Sequence, residues 1–299
     1  MAADNGTAQE DKGSIVSTGH SIAVMNAKGG VGKSTLTMAL AEALVVHHKR
    51  RVLVIDSDGQ VSVSLMLLPI SRMQALRDSD ATLVDIIAQS VLQRQATNWR
   101  SAAAPRASDL EDAQELYIVP GSMDLTLVER EITARRLEGD LRAFIRHWLS
   151  DAKSLFDVIL VDCAPGISAL TECWLRECDE HIVPVKPDLL AVGGMEYLKN
   201  FKLSNSSGGF ANHLGVVINM LNPTSDMERA VHQALVQRAD LRCFEHAIPH
   251  LLYLQKASLY SPIGRSFLSK YPGAAGTAIR GLAGEVLARL SESALQPAA

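Results

Sequence analysis

The 299-residue chain carries 29 Lys and Arg against 33 Asp and Glu, a formal net charge of −4, with 47% hydrophobic and 21% charged residues. That composition suits a soluble globular protein with room for one large α/β domain. It excludes a globally basic nucleic-acid binder while allowing a local basic patch. The four cysteines, Cys163, Cys173, Cys178 and Cys243, form no C-x-x-C pair, so reduced thiols in a cytosolic protein are expected.

Residues 1–19 are polar and show no apolar period, which predicts a mobile tail; they have neither the basic nor the apolar region of a signal peptide. No run approaches the ~18 apolar residues of a membrane span. The apolar run Ile22-Ala23-Val24-Met25 then leads into Asn26-Ala27-Lys28-Gly29-Gly30-Val31-Gly32-Lys33-Ser34-Thr35 and a helical run over residues 36–46. Strand, glycine-rich turn and helix make a phosphate-binding loop. Its N–H groups and the positive helix end face an oxyanion, Lys33 reaches the β/γ-phosphates and Ser34 is placed for Mg²⁺. The regular G-x-x-x-x-G-K-[ST] pattern is broken at Ala27, and a second lysine, Lys28, stands five residues before Lys33.

In the helix, Leu36, Leu40, Ala43, Leu44 and His47 recur at helical spacing. His47, His48, Lys49, Arg50 and Arg51 put positive charge at its carboxyl end. Adjacent histidines on a helix do not converge on one ion, so helix-end solvation is the expectation for this pair. Residues 52–55 read as a strand buried on both faces, ending in Asp56-Ser57-Asp58-Gly59-Gln60 at the position where open α/β sheets bind ligands. Residues 82–92 read as a helix capped by Thr82 and Asp85, and 93–115 as a long surface excursion.

Residues 116–119 predict another strand, and 120–122 a turn. Residues 124–150 predict one helix whose Arg130, Arg135, Arg136, Arg142 and Arg146 form a solvated face. The β run over 156–162 closes in Asp162-Cys163-Ala164-Pro165-Gly166, a Walker B arrangement followed by a hinged Pro-Gly. Strands over 181–185, 214–218 (ending in Asn219) and 247–249 follow. Helices are expected over 192–201 with Lys199 and Lys202 exposed, over 227–238, and over 274–290. The expected fold is α/β, a mostly parallel doubly wound sheet flanked by helices, as one domain over 20–292 with tails at 1–19 and 293–299.

The motif from Lys28 to Thr35, Asp56-x-Asp58-x-Gln60, the strand ending Asp162-Cys163-Ala164-Pro165, and Ile248-Pro249 before a closing helix occur in the order of one family. The chain resembles the ParA/MinD-type ATPases with a deviant Walker A motif, closest to the ParA branch, over about residues 21–290. Pro120-Gly121-Ser122-Met123-Asp124-Leu125 and Val183-Pro184-Val185 support that branch.

The resemblance implies an ATP and Mg²⁺ site sandwiched between two subunits, built on residues 28–35. Lys28 crosses to the partner's nucleotide, and Lys33, Asp56 and Asp58 serve hydrolysis. Ser34, Asp56 and Asp162 attend the Mg²⁺, the carboxylates mainly through water, and Asn219 and Pro249 hold the adenine. Gly59 stands where the family usually has proline, and Val61 where glycine or a small polar residue is common.

The implied function is a cytoplasmic, nucleoid-associated dimerisation switch. In the ATP state it binds double-stranded DNA nonspecifically, and it positions plasmid, chromosome or other cargo with a ParB-like or adaptor protein that stimulates a slow ATPase. DNA contacts would come from a patch among Lys199, Lys202, Arg229, Arg238, Arg242 and Arg265. Two alternatives stand beside it. A MinD-like membrane regulator needs a basic amphipathic terminal helix that residues 290–299 lack. An iron–sulfur ATPase of the same superfamily needs exposed, matched cysteines.

Overall fold

A computed structural model describes residues 19–188, 190–205, 209–250 and 252–295. The expected tail at 1–19, apart from its last residue, and the last four residues of the chain lie outside the described residues. Seven strands form one sheet: β1 (His20–Val24), β2 (Val52–Ser57), β3 (Ala104–Pro105), β4 (Leu116–Val119), β5 (Val158–Cys163), β6 (Glu180–Val185) and β7 (Asn212–Ile218). Their order is β3-β4-β2-β5-β1-β6-β7, with every pairing parallel except β3 against β4.

The central strands are apolar throughout because both faces are covered. Successive side chains part to opposite sides, as the pleat requires. Ile22, Val52, Val54 and Leu160 join one core, while Ala23, Leu53, Ile55 and Val161 join the other. The first core is closed by α1 (Lys33–His48) and α12 (Ala274–Leu295), with α2 (Ser62–Leu67), α3 (Ile70–Asp78), α10 (Leu252–Ala257) and α11 (Phe267–Lys270) around them. The second is closed by α4 (Leu83–Ile87), α5 (Leu125–Ala134), α6 (Glu138–Ala152), α7 (Ala169–Glu177) and α8 (Ala191–Ser204), with α9 (Asp226–Val236) beyond. Helix α1 is buried nearly all round, so its apolar positions make no single stripe. Burial and the Arg280 charge lower the pKa of His47 in the last turn of α1, where its ring packs 4.4 Å edge-on against Phe267.

Several expectations are corrected. The 93–115 stretch is packed, not a surface excursion. Trp99, Ala102, Ala107, Leu110 and Ala113 are buried, and Ala104 pairs with Ile118 at the sheet edge, where Pro105 needs no ladder donor. Its anchors are alanines, which fit close backbone approach but carry little hydrophobic signal. The single helix over 124–150 is two helices. Arg136 takes φ +57° and the Leu137 N–H reaches Ile132 O at 2.9 Å, a left-handed helix stop built on an arginine in place of the usual glycine. Arg142 and Arg146 are not merely solvated: both bind the Glu177 carboxylate, at 2.6 and 2.7 Å. The expected strand at 247–249 is only a bridge, Leu221 to Pro249. Helix α12 runs to Leu295, three residues beyond the expected domain end at 292. Burial of Ser64 and Thr82 accompanies two short helices in a region that shows little period; at Thr82 the Asp85 carboxylate accepts from the N–H (2.9 Å) and the hydroxyl (2.5 Å), as the capping pattern predicts.

Candidate active site

The phosphate loop leaves β1 at the carboxyl edge of the sheet. Buried Asn26 holds its entrance: the amide donates to Pro184 O at 2.8 Å, and Oδ1 accepts from the Lys28 N–H at 2.9 Å. Gly30 and Gly32 take φ of +73° and +80°, a region open to glycine at no steric cost. A Cβ on Gly32 would lie 2.6 Å from the Asn219 amide nitrogen. That amide donates to Val31 O at 2.8 Å, so Asn219, expected at the adenine, also clamps the loop. Beside the loop a cleft opens between Gly32, Thr35, Asn219, Met220, Pro249 and Gln255. It brings Asn219 and Pro249 to one cleft.

Lys33 opens α1 and is buried, its ammonium 3.5 Å from Lys28 O. Burial lowers its pKa, while the Asp162 and Asp58 charges act to raise it. Adjacent strands β2 and β5 set Asp56 directly beside Asp162 in register, and both are fully buried. Asp56 Oδ2 accepts from the Ser64 N–H (3.0 Å) and hydroxyl (2.5 Å), and Oδ1 from the Asp58 N–H (3.2 Å). Asp162 Oδ1 accepts from the Thr37 hydroxyl at 3.2 Å. Burial raises the pKa of both carboxyls; for Asp162 the neighbouring Asp56 charge adds to this, while hydroxyls of Ser34 and Thr37 oppose it.

Asp162 Oδ2 is buried and, although the Ser34 hydroxyl lies close enough to act on the carboxyl, accepts no hydrogen bond of ordinary geometry among the described residues. An orphaned carboxylate oxygen beside a second buried carboxylate fits the donor set of a hydrated hard cation, which takes oxygen ligands and keeps several waters. Asp58 is nearly buried, with Oδ1 accepting from the Gln60 N–H at 2.9 Å. Val61 N–H closes this turn on Asp58 O at 2.9 Å with φ +58°, which explains why glycine suits that position. Gly121 lies over Asp56, where a Cβ would sit 3.0 Å from Asp56 O, and its N–H donates to the Ser64 hydroxyl at 3.1 Å.

Lys28 is turned toward its own chain: its ammonium lies 2.7 and 2.9 Å from the two Asp188 carboxylate oxygens. Burial works to raise the Asp188 pKa, but the hydrogen bond and charge of Lys28 hold it below the ordinary carboxyl range. Ser64, Thr37 and Asp188 touch these groups and lie outside the motifs, while Asn26 opens the loop stretch without an assigned role. Thr37 alone carries a signal, standing one helical turn after Lys33. The six basic candidates do not form one patch. Arg238 and Lys199 are both on Asp240 at 2.9 and 3.8 Å, Arg242 donates to His213 O at 3.3 Å, and Arg229 pairs with Asp226. Lys202 is half-buried on Ala211 O at 3.0 Å, not exposed as expected, and Arg265 is committed to buried Asp109. The three cysteines Cys163, Cys173 and Cys178 are core residues, with burial raising all three thiol pKa values. No helix among the described residues is long and apolar enough to cross a membrane.

A family model described as an AAA domain (AAA_31) matches residues 19–207 of this chain. The chain belongs to this family, as a ParA/MinD-type P-loop ATPase. This ATPase is similar to the sporulation initiation inhibitor protein Soj of Bacillus subtilis, 28% identical over 186 residues; the match spans 61% of this chain and 64% of that protein. Similarity to the chromosome-partitioning ATPase Soj of Treponema pallidum is 24% identity over 279 residues, covering 91% and 98% of the two chains. Among solved structures, the septum site-determining protein MinD from Pyrococcus horikoshii, complexed with Mg-ADP, matches with TM-score 0.65 and 22% identity, covering 93% of this ATPase and 99% of that chain. That likeness is one of fold, and it matches the mostly parallel sheet with helices on both faces.

Proposed function

We propose that this ATPase is a slow, Mg²⁺-dependent positioning switch. Its ATP form pairs two copies of the chain and binds double-stranded DNA without reading sequence. A ParB-like or cargo-adaptor protein stimulates hydrolysis and resets it in the cytoplasm. The observation that carries the nucleotide chemistry is the unpartnered Asp162 oxygen beside the phosphate loop. The partitioning and division proteins named above support the cellular task.

In this reading the N–H groups of residues 29–35 and the Lys33 ammonium bind the β- and γ-phosphates, while the cleft at Asn219 and Pro249 takes the adenine. Ser34 would hold Mg²⁺ directly, and Asp56 and Asp162 through its waters; the ion supplies charge neutralisation between the phosphates. Asp58, with Oδ1 anchored by Gln60, orients a water toward the γ-phosphorus. The water oxygen forms the new bond to the γ-phosphorus as the bond to the ADP oxygen breaks, its proton passing to the departing phosphate, and the products are ADP and inorganic phosphate. Lys28, released from Asp188, stabilises charge on the partner subunit's nucleotide, which ties hydrolysis to pairing. Against a membrane role, Arg289 of the terminal helix is spent on the backbone carbonyls of Leu214, Arg242 and Cys243 and builds no basic face.

The test is ATP turnover and DNA retention of wild type, Lys33→Ala and Asp58→Ala. Lys33→Ala is expected to lose nucleotide binding, and Asp58→Ala to hold ATP with turnover reduced about 10²-fold or more. Asp58→Ala with ATP should stay on DNA at low salt and leave it steeply as salt rises. No turnover by wild type with Mg-ATP would sink the enzymatic reading, and no retention at low salt would sink the DNA reading.

A further inference from the structure

Away from the phosphate loop, a cavity of about 300 Å³ lies between α8, strands β6 and β7, and the short 3-10 turn Ala239–Leu241. Its walls include the apolar Val183, Met195, Leu198, Val216 and Leu241; His181, His213 and Lys202 form one polar end, and the charged Glu196, Lys199, Arg238 and Asp240 also line it. This is the composition of a small-molecule site: a mostly apolar concavity with a few convergent polar groups.

Lys202 is half-buried with its ammonium on Ala211 O at 3.0 Å, and among the described residues none of the ion pairs includes it. The other cations on this rim have anionic company, since Arg238 and Lys199 share Asp240. Besides that carbonyl it faces the Phe210 ring, 5.8 Å from the ring centroid; neither partner carries a formal negative charge, and burial lowers the pKa of Lys202.

The histidines add a second, independent sign of the same chemistry. His181 Nδ1 lies 3.0 Å from Ala211 O, His181 Nε2 lies 3.3 Å from His213 Nδ1, and His213 Nε2 lies 3.0 Å from Leu241 O. Both outer contacts end on carbonyl oxygens, which only accept. Satisfying all three contacts takes three ring protons, and two neutral imidazoles carry two. The chain of contacts is therefore one proton short unless the pair is charged. Burial is the main force keeping that proton away, with Lys202 facing both rings and Arg242 and Arg289 facing His213.

We propose that this cavity binds a small apolar carboxylate, its tail along Met195, Leu198 and Leu241 and its carboxylate beside Lys202 and the His181–His213 pair. The anion neutralises Lys202 and makes the third imidazole proton affordable, so binding takes up a proton and tightens as pH falls through the histidine range. The cavity is lined by one chain and needs no nucleotide or DNA, so the site stands or falls apart from the switch.

The probe is octanoate, titrated calorimetrically into the full chain without nucleotide at about pH 6 and about pH 8, with octan-1-ol and octylammonium as charge controls. Octanoate is expected to bind one per chain, about tenfold or more tighter than either control, and tighter at the lower pH. Lys202→Met should bring octanoate down to the level of octan-1-ol, and Leu198→Trp, which fills the cavity, should abolish both. On wild type, octanoate should shift the ring carbon–proton NMR signals of His181 and His213 in the direction of protonation, a readout that needs no variant to fold. Octanoate binding no tighter than octan-1-ol, binding intact in folded Leu198→Trp, or unmoved histidine signals at saturation would each overturn the proposal.

Discussion

Replacing Asp188 by Asn tests whether Lys28 is held in reserve. The pair is close, 2.7 Å at its shortest, but it is an exposed-side contact, with side-chain accessibilities of 30% and 27%. Solvent screening at that exposure limits its worth to about 0.2–1 kcal/mol. Pairing two chains through Lys28 breaks one such contact on each, so the two costs add to about 0.4–2 kcal/mol, which is a factor of about 2–30 in the dimerisation constant. Asp188→Asn keeps the shape and removes the charge that holds the lysine. The expected result is ATP-dependent dimerisation strengthened within that range, measured by sedimentation equilibrium with Mg-ATP, and little change in the stability of the nucleotide-free monomer. The double variant with Lys28→Ala should lose the gain, because the latch has nothing left to restrain. Weaker dimerisation in Asp188→Asn, or the same gain in the double variant, would refute the latch and assign Asp188 a contact in the dimer itself.

Three further outcomes are expected. Gly32→Ala must place a Cβ at φ +80°, where it meets the Asn219 amide, so strain of about 1–2 kcal/mol joins the loss of a hydrogen bond of about 1 kcal/mol; an unchanged urea midpoint with normal ATP binding would count against it. Asp56 and Asp162 have folded pKa values above their unfolded ones, so their contribution is present below the unfolded carboxyl range and lost as pH rises through the folded values. Asp162→Asn should therefore unfold later than wild type near neutral pH by at least about 1.4 kcal/mol, the worth of one pKa unit, while an equal denaturation free energy at pH 8 would contradict this. Lys270→Met leaves Glu42 and Asp109, which both bind the Lys270 ammonium at 2.7 and 2.8 Å with no exposure, without their shared cation. The expected loss is about 3–5 kcal/mol in chemical denaturation, and a loss below about 1 kcal/mol would show that Tyr271, Ser108 and Arg265 suffice to hold the two acids.

Much of the site was legible because its chemistry is local. A phosphate loop acts through successive backbone N–H groups, so for residues 28–35 glycine spacing between an apolar run and a helical run is enough to find it. Asp56, Asp58 and Asp162 end apolar runs, and a parallel sheet gathers all such ends on one edge. The excursion over 93–115 was not legible, because its packing rests on alanines and on Trp99, whose indole N–H donates to Asp151 at 2.8 Å across 52 residues. The break inside 124–150 was hidden for a different reason: an arginine occupies the left-handed position where glycine would have announced it.

The sequence by itself determined that a phosphate loop follows the first strand, that buried parallel strands deliver carboxylates beside it, and that a lysine out of pattern stands at its entrance. Only the tertiary structure decided what those groups touch. Strand order sets β5 and β6 on either side of β1, and this brings Asp188 to Lys28 across 160 residues, Asn219 to Val31 across 188, and Thr37 to Asp162 across 125. It also brings His181 and His213 to one cavity, through the pairing of β6 with β7. Spacing along a chain records periodicity and backbone conformation, whereas the partner of a side chain depends on which strands lie side by side. That choice is made by burial summed over the whole sheet, so no single stretch of residues carries it.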